Sequence, residues 1–148
     1  MKDVLILLMF LLPSALLAQQ IDYNQQDGYI AEGYDVVAYF DGKAKEGKAE
    51  HTVKLDGANY QFISAKNKES FQANPEKYKP QYGGWCAYAM AKKKKVEVNP
   101  ESYEIRDGKL YLFYKSYFNN TLKSWKSEGP TGLAKEADAY WETVKYKK

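Results

Sequence analysis

The chain has 148 residues, a net charge of +3, one cysteine and one histidine, and 45% of it is hydrophobic and 16% aromatic. That composition is ample for a packed core and excludes a disordered chain. Arg106 is the sole arginine, so the planar forks that read base edges and clamp phosphates are almost missing, which argues against nucleic acid as a partner.

At the N-terminus an apolar run from Val4 to Leu12 follows Lys2, and Pro13 and small residues lead to Ala18. This pattern predicts a secretory signal peptide over residues 1–18, leaving 19–148 as a single domain that is secreted or periplasmic. The stretch Val4 to Leu17 is shorter than the roughly 20 apolar residues of a bilayer-spanning helix and is interrupted by Pro13, so no transmembrane anchor is expected in the mature form. With one cysteine no internal disulfide is available, and packing alone must hold the domain.

After a polar leader, Gln19 to Gln26, the run Val36 to Phe40 reads as a short strand ending at Asp41-Gly42. Apolar and polar residues then alternate on both sides of Asp56-Gly57, the signature of a tight hairpin. Ser64 is placed to cap a helix over AKNKESFQA, which must stop before Pro75; Pro75 opens a further turn through Tyr78, and Pro80 ends it. The segment SYEIRDGKLYLFYKS predicts a second hairpin about Asp107-Gly108, followed by a helical stretch from Ser116 to about Lys126. From Thr131 to Tyr146, Leu133, Ala134, Ala137, Tyr140, Trp141 and Val144 fall at helical spacing and predict an amphipathic helix.

The two hairpins share Asp-Gly-x-x-Tyr-x-Phe, as Asp56, Gly57, Tyr60, Phe62 and as Asp107, Gly108, Tyr111, Phe113. Either an internal duplication or two amphipathic hairpins with the same turn accounts for this. The expected fold is α+β, a small antiparallel sheet built from two hairpin-helix units with helices packed against it. The lysine tetrad Lys92 to Lys95 reads as a solvated face.

Candidate chemistry gathers around YGGWCAYAMA. Cys86 and Met90 would share a helix face, and His51 is the only imidazole, so a thiolate with a thioether or imidazole makes a candidate site for copper or another soft metal ion. The competing reading makes Cys86 a buried small hydrophobe, Met90 core filling and His51 a strand surface residue. A thiol enzyme is the third possibility, with the Cys86 thiol at a helix start and His51 as base. Nothing in the sequence orients that imidazole, however, and no redox cysteine pair, phosphate loop or histidine-glutamate metal motif occurs, so an enzyme is not expected. Tyr82, Gly83, Gly84, Trp85 and Tyr88 form a candidate aromatic pocket for a small ligand, aromatic or carbohydrate, or a protein-interaction surface, because the glycines permit close backbone approach. Asn119-Asn120-Thr121 matches a glycosylation sequon.

The stretch LDGANYQFISAKNKESFQANPEKY resembles the YHS domain, a relative of the TRASH metal-binding modules, with Tyr60, Phe62, Ser64, Phe71, Pro75 and Tyr78 as its landmarks and a core over about residues 50–80. The flanks GYDVVAYF and KPQYGGWCAYAMA, the DGKLYLFY hairpin, Trp125 and Trp141 resemble a secreted branch of that family. The resemblance implies an exported small binding module of α+β fold. Metal-binding members carry cysteines in the second strand and the first helical turn; here those places hold Ile63 and Asn67, so the family's thiolate pair is not carried over.

Overall fold

Asp56 and Gly57 both adopt positive φ (51° and 83°) in a computed structural model that describes residues 18–148. This is the geometry a two-residue hairpin turn needs, and it folds β1 (Lys48–Leu55) onto β2 (Ala58–Phe62). Asp107 and Gly108 (51° and 72°) fold β3 (Asn99–Arg106) onto β4 (Lys109–Phe113) in the same way. The apolar leader, and with it the expected signal peptide, lies outside the described residues.

The likeness of the hairpins goes beyond the turn. Every pairing of the first recurs in the second displaced by 51 residues (48 to 99, 62 to 113), including the bulge that follows Lys48 and Asn99. Upstream, a 3-10 turn at Ile30–Gly33 places Ala31, Glu32 and Gly33 at φ of 52°, 53° and 84°; the one at Gln81–Gly84 places Tyr82, Gly83 and Gly84 at 58°, 60° and 86°. Asp35 N–H donates to Lys45 O at 2.8 Å, and Cys86 N–H donates to Val96 O at 2.9 Å. Three consecutive left-handed or glycine positions are costly to specify by chance, so the repeated backbone makes an internal duplication the better account of the shared motif.

Each unit continues into a capped helix. Ser64 Oγ accepts from Asn67 N–H at 3.1 Å and starts α1 (Ala65–Ala73); Pro75 opens α2 (Pro75–Tyr78). The second unit carries the short α3 (Ala87–Ala91) ahead of its hairpin and α4 (Thr121–Glu128) behind it, the latter capped by Asn120 Oδ1 accepting from Lys123 N–H at 3.3 Å. The amphipathic α5 (Pro130–Val144) then closes over the second unit with Leu133 and Ala137 buried.

The fold is therefore α+β, with the strands as two separate two-stranded ribbons, and Pro80, just after α2, forms a parallel bridge to Leu110 of β4. Phe71 of α1 stacks on Tyr60 and Phe62 at 4.6 and 5.2 Å between ring centres, and Trp125 of α4 stacks on the matching Tyr111 and Phe113 at 5.4 Å each. Two hydrophobic clusters form around these stacks.

Two sequence expectations are corrected. Val36 to Phe40 is not a strand: the chain turns at Val36 and enters a 3-10 helix at Ala38–Asp41, ended by Gly42 at φ 74°. The reason is Asp35, whose Oδ1 accepts from the N–H groups of Val37 and Ala38 at 2.8 and 3.1 Å and so caps a helical turn where an unbroken apolar run looked extended. The helix expected from Ser116 begins only at Thr121, because Asn120 supplies the cap and residues 115–119 form a loop.

Candidate functional site

Cys86 is fully buried at the N-cap of α3. Its Sγ accepts from Tyr114 N–H at 3.2 Å and Ala89 N–H at 3.5 Å, and lies 3.4 Å from Thr121 Oγ1. Thr121 sends its own proton to Tyr114 O at 2.6 Å, so the direction left for the third contact is from the thiol S–H to Thr121 Oγ1. Sulfur is thus a junction that ties β4 to the starts of α3 and α4, with its donor and acceptor directions in use.

Of the other two residues of the candidate metal set, Met90 lies one turn along α3, its N–H donating to Cys86 O at 2.9 Å, and His51 lies on β1. Met90 is buried in the second cluster beside Trp125 and Phe113, whereas Cys86 packs in the first. His51 sits in the bulge of β1, with Nε2 3.9 Å from Glu50 Oε1. Among the described residues no group of three or more histidine, cysteine, aspartate and glutamate side chains is arranged to hold a metal ion.

Asp35 occupies the place in the first unit that Cys86 occupies in the second. It is fully buried, and beyond its two bonds to Val37 and Ala38 its Oδ2 accepts from Ile63 N–H and from the Asn67 side-chain amide, both at 2.8 Å. Ile63 and Asn67 are the positions where the YHS resemblance implies thiolates. Here they converge on a carboxylate that takes four N–H donors, which is how a buried charge is made tolerable.

A cleft of about 440 Å³ lies where the N-terminal strap around Ile21 and Tyr23, the turn after α2 and α5 meet. Tyr23, Tyr60, Lys79, Tyr82, Asp138 and Trp141 are among its walls. Gly83 is required there: its φ is +60°, and a Cβ on it would come within 2.9 Å of the Trp141 ring. Tyr82 donates its hydroxyl to Asp138 Oδ1 at 2.8 Å, and burial followed by that carboxylate pushes the phenol far above its ordinary pKa. Lys79 spans Glu76 at 2.6 Å and Asp56 at 3.3 Å. Burial alone would lower the Lys79 ammonium, and the two carboxylates reverse the direction.

Tyr60 differs from its neighbours. It is 1% exposed, its ring is held by Phe71, and its hydroxyl has no hydrogen-bond partner among the described residues. Burial, reinforced by Tyr23, Asp56 and Glu76, raises its pKa well above the usual phenol value, so it remains a proton donor.

Of the residues singled out by sequence, Tyr82 and Gly83 line this cleft. Gly84 is buried against Asn24 and Ile30, Trp85 donates its indole N–H to Asp22 O at 2.8 Å, and the Tyr88 hydroxyl donates to Glu128 Oε1 at 2.7 Å across the α3–α4 surface. Sequence reasoning did not place Tyr23, Tyr60, Lys79, Asp138 or Trp141 together. The signal available was Trp141, which shares the apolar periodicity of α5 yet packs against a glycine. Lys95 also departs from its solvated reading: it reaches Asp22 Oδ2 at 2.7 Å and Val144 O at 2.6 Å, between the rings of Trp85 and Trp141 at 5.9 and 5.8 Å, and pins the strap to α5.

Among the described residues no helix is long and apolar enough to cross a membrane. Fold and site together define a small α+β domain of two matched units with a polar, aromatic-walled cleft. Compared with the models of known protein families, with curated proteins and with solved structures, the chain matches none.

Proposed function

We propose that this chain is a small-molecule binding module, related to the secreted YHS-like domains, whose ligand occupies the cleft between the N-terminal strap and α5. The observation that carries this reading is the Tyr60 hydroxyl, a donor without a partner in the wall of a hollow of the size that small ligands use. A bound hydroxyl or carbonyl that accepts from it gains a hydrogen bond worth about 1 kcal/mol.

The walls also indicate what kind of ligand fits. Glu76, Asp138 and Glu142 face Lys79 and Lys109, so the charges nearly balance and neither an anion nor a cation is favoured. Tyrosine and tryptophan faces beside carboxylate, amide and phenol edges suit a neutral polyhydroxylated molecule, such as a simple sugar, whose rings present both apolar faces and hydroxyls. In this reading Cys86 is structural, and no catalytic step is assigned. The relation to the YHS domain is supported by its landmarks: Tyr60, Phe62 and Phe71 are core residues, Ser64 is a helix cap and Pro75 opens a helix. Export is supported by the leader's sequence pattern.

The test is a titration of tryptophan fluorescence with a panel of neutral sugars and polyols, on the protein and on Tyr60→Phe. Because that hydroxyl bonds to nothing in the protein, the variant is expected to keep its melting temperature and to bind the active panel member about fivefold more weakly, the worth of one hydrogen bond. Equal affinity of the two proteins, or silence across the panel, sinks the reading.

A further inference from the structure

We infer that the protein docks on anionic lipid surfaces through the loop between β4 and α4, by inserting the Tyr117–Phe118 tip. This is separate from the cleft. Tyr117 and Phe118 are 94% and 95% exposed, their rings meet edge to face at 4.9 Å, and they are among the most solvated apolar side chains described.

The duplication supplies the first argument, because it shows what the fold needs at this point. In the first unit Ile63 alone separates the end of β2 at Phe62 from the helix cap at Ser64; in the second, the chain from Phe113 to the cap at Asn120 carries six intervening residues. The unit folds without the extra residues, so the two aromatic rings serve nothing in the core.

The second argument is that the loop is built to present them. Lys115 and Asn120 form a bridge at its base, Ser116 N–H donates to Asn119 O at 2.8 Å, and Asn119 N–H donates to Ser116 Oγ at 3.2 Å. These bonds hold a closed turn with both rings at its apex.

Charge selects the occupant. Lys115 and Lys123 flank the tip and Lys126 lies one turn further along α4; the surface hollows around the tip and the outer face of α4 are lined by these lysines with serine, asparagine and Leu122 and contain no carboxylate. Glu32 and Glu101 line a separate hollow with Lys115, and neither ring belongs to it. A phenol and a phenyl ring ringed by lysines match the boundary of an anionic bilayer, where aromatic side chains settle at headgroup depth and each nearby lysine adds attraction.

The experiment is sedimentation of the full chain with phosphatidylglycerol–phosphatidylcholine vesicles and with pure phosphatidylcholine vesicles, alongside a Tyr117→Ser/Phe118→Ser variant and a Phe118→Trp reporter. We expect binding to the anionic vesicles, about tenfold weaker in the double variant and about fivefold weaker for each of Lys115→Gln and Lys123→Gln. The added tryptophan of the reporter should shift to the blue and be quenched by brominated lipid. Because the tip is exposed, none of these changes should alter the melting temperature. A reporter that is unmoved by vesicles overturns the inference even if the apolar leader carries the chain to them. Equal sedimentation of the double variant, or equal binding to neutral lipid, overturns it too, and a protein-facing role for the tip then becomes the alternative.

Discussion

The two units have the same backbone and solve the same problem with different chemistry. In each, a helical turn and the end of the second strand point N–H groups at one side chain: Ala38 and Ile63 at Asp35, Ala89 and Tyr114 at Cys86. The first node receives four N–H donors, with Val37 and Asn67 added, and a carboxylate has the two oxygens and the charge to serve them. The second receives two weaker ones and gives its S–H to the Thr121 hydroxyl, which a thiol can do without a buried charge. The covering residue differs in the same spirit. Phe71 needs no polar partner, so the strand beneath it carries Val53 and Leu55; Trp125 has an indole N–H, and the matching strand positions are Glu104, which accepts it at 2.9 Å, and Arg106, which holds Glu104. What is shared between the halves is the set of backbone donors; which acceptor meets them depends on how many there are.

That comparison breaks most visibly at Asp35. Replacing Asp35 by Ala leaves two buried and two part-buried donors without their acceptor, and we expect a loss of about 3–5 kcal/mol in urea unfolding, enough to unfold much of the population of a marginal domain. Cys86→Ala leaves two weakly held N–H groups and a small void, for about 2 kcal/mol. If the order of these two costs were reversed, the donor count would not be what separates the nodes. Reagents that label thiols in the native protein should reach Cys86 only at the rate of global opening, a second check on its role as a junction.

The smallest effect concerns acid. Burial by itself would raise Glu104, but the Arg106 guanidinium and the Trp125 indole N–H outweigh it and hold the carboxyl below its ordinary value of 4.5. A carboxyl depressed in the folded state adds stability that is fully present above the unfolded value and is lost as pH falls through the folded one. Melting temperature should therefore decline below about pH 4.5, and Glu104→Gln should lower it at neutral pH while flattening that acid limb. The first unit has Val53 at the matching position, a side chain that does not titrate.

Much of the local structure was legible. Asp56-Gly57 and Asp107-Gly108 announced both hairpins, Ser64 and Pro75 announced helix starts, and the period of Leu133, Ala137 and Trp141 announced α5. Val36 to Phe40 misled because a run apolar on every side has no period, and the carboxylate that caps it is itself held by groups far along the chain. The start of α4 misled because Asn120, not Ser116, supplies the cap. The cleft was only partly readable: Tyr82 and Gly83 were flagged from their glycine-aromatic context, while Tyr60 and Asp138 come from separate elements and carry no mark in sequence of facing the same hollow.

What the sequence determined by itself is everything governed by a residue's own dihedral preferences and nearest neighbours: turns at positive φ, caps, proline boundaries and the apolar stripe of a helix. The tertiary structure alone decided where the buried polar groups find partners. Ile63 reaches Asp35, and Tyr114 reaches Cys86, across 28 residues of chain in each case, and no local rule selects a bond of that separation. Such bonds form because a buried N–H excluded from water must find an acceptor wherever packing brings one, and by the same logic the Tyr60 hydroxyl is left facing the cleft.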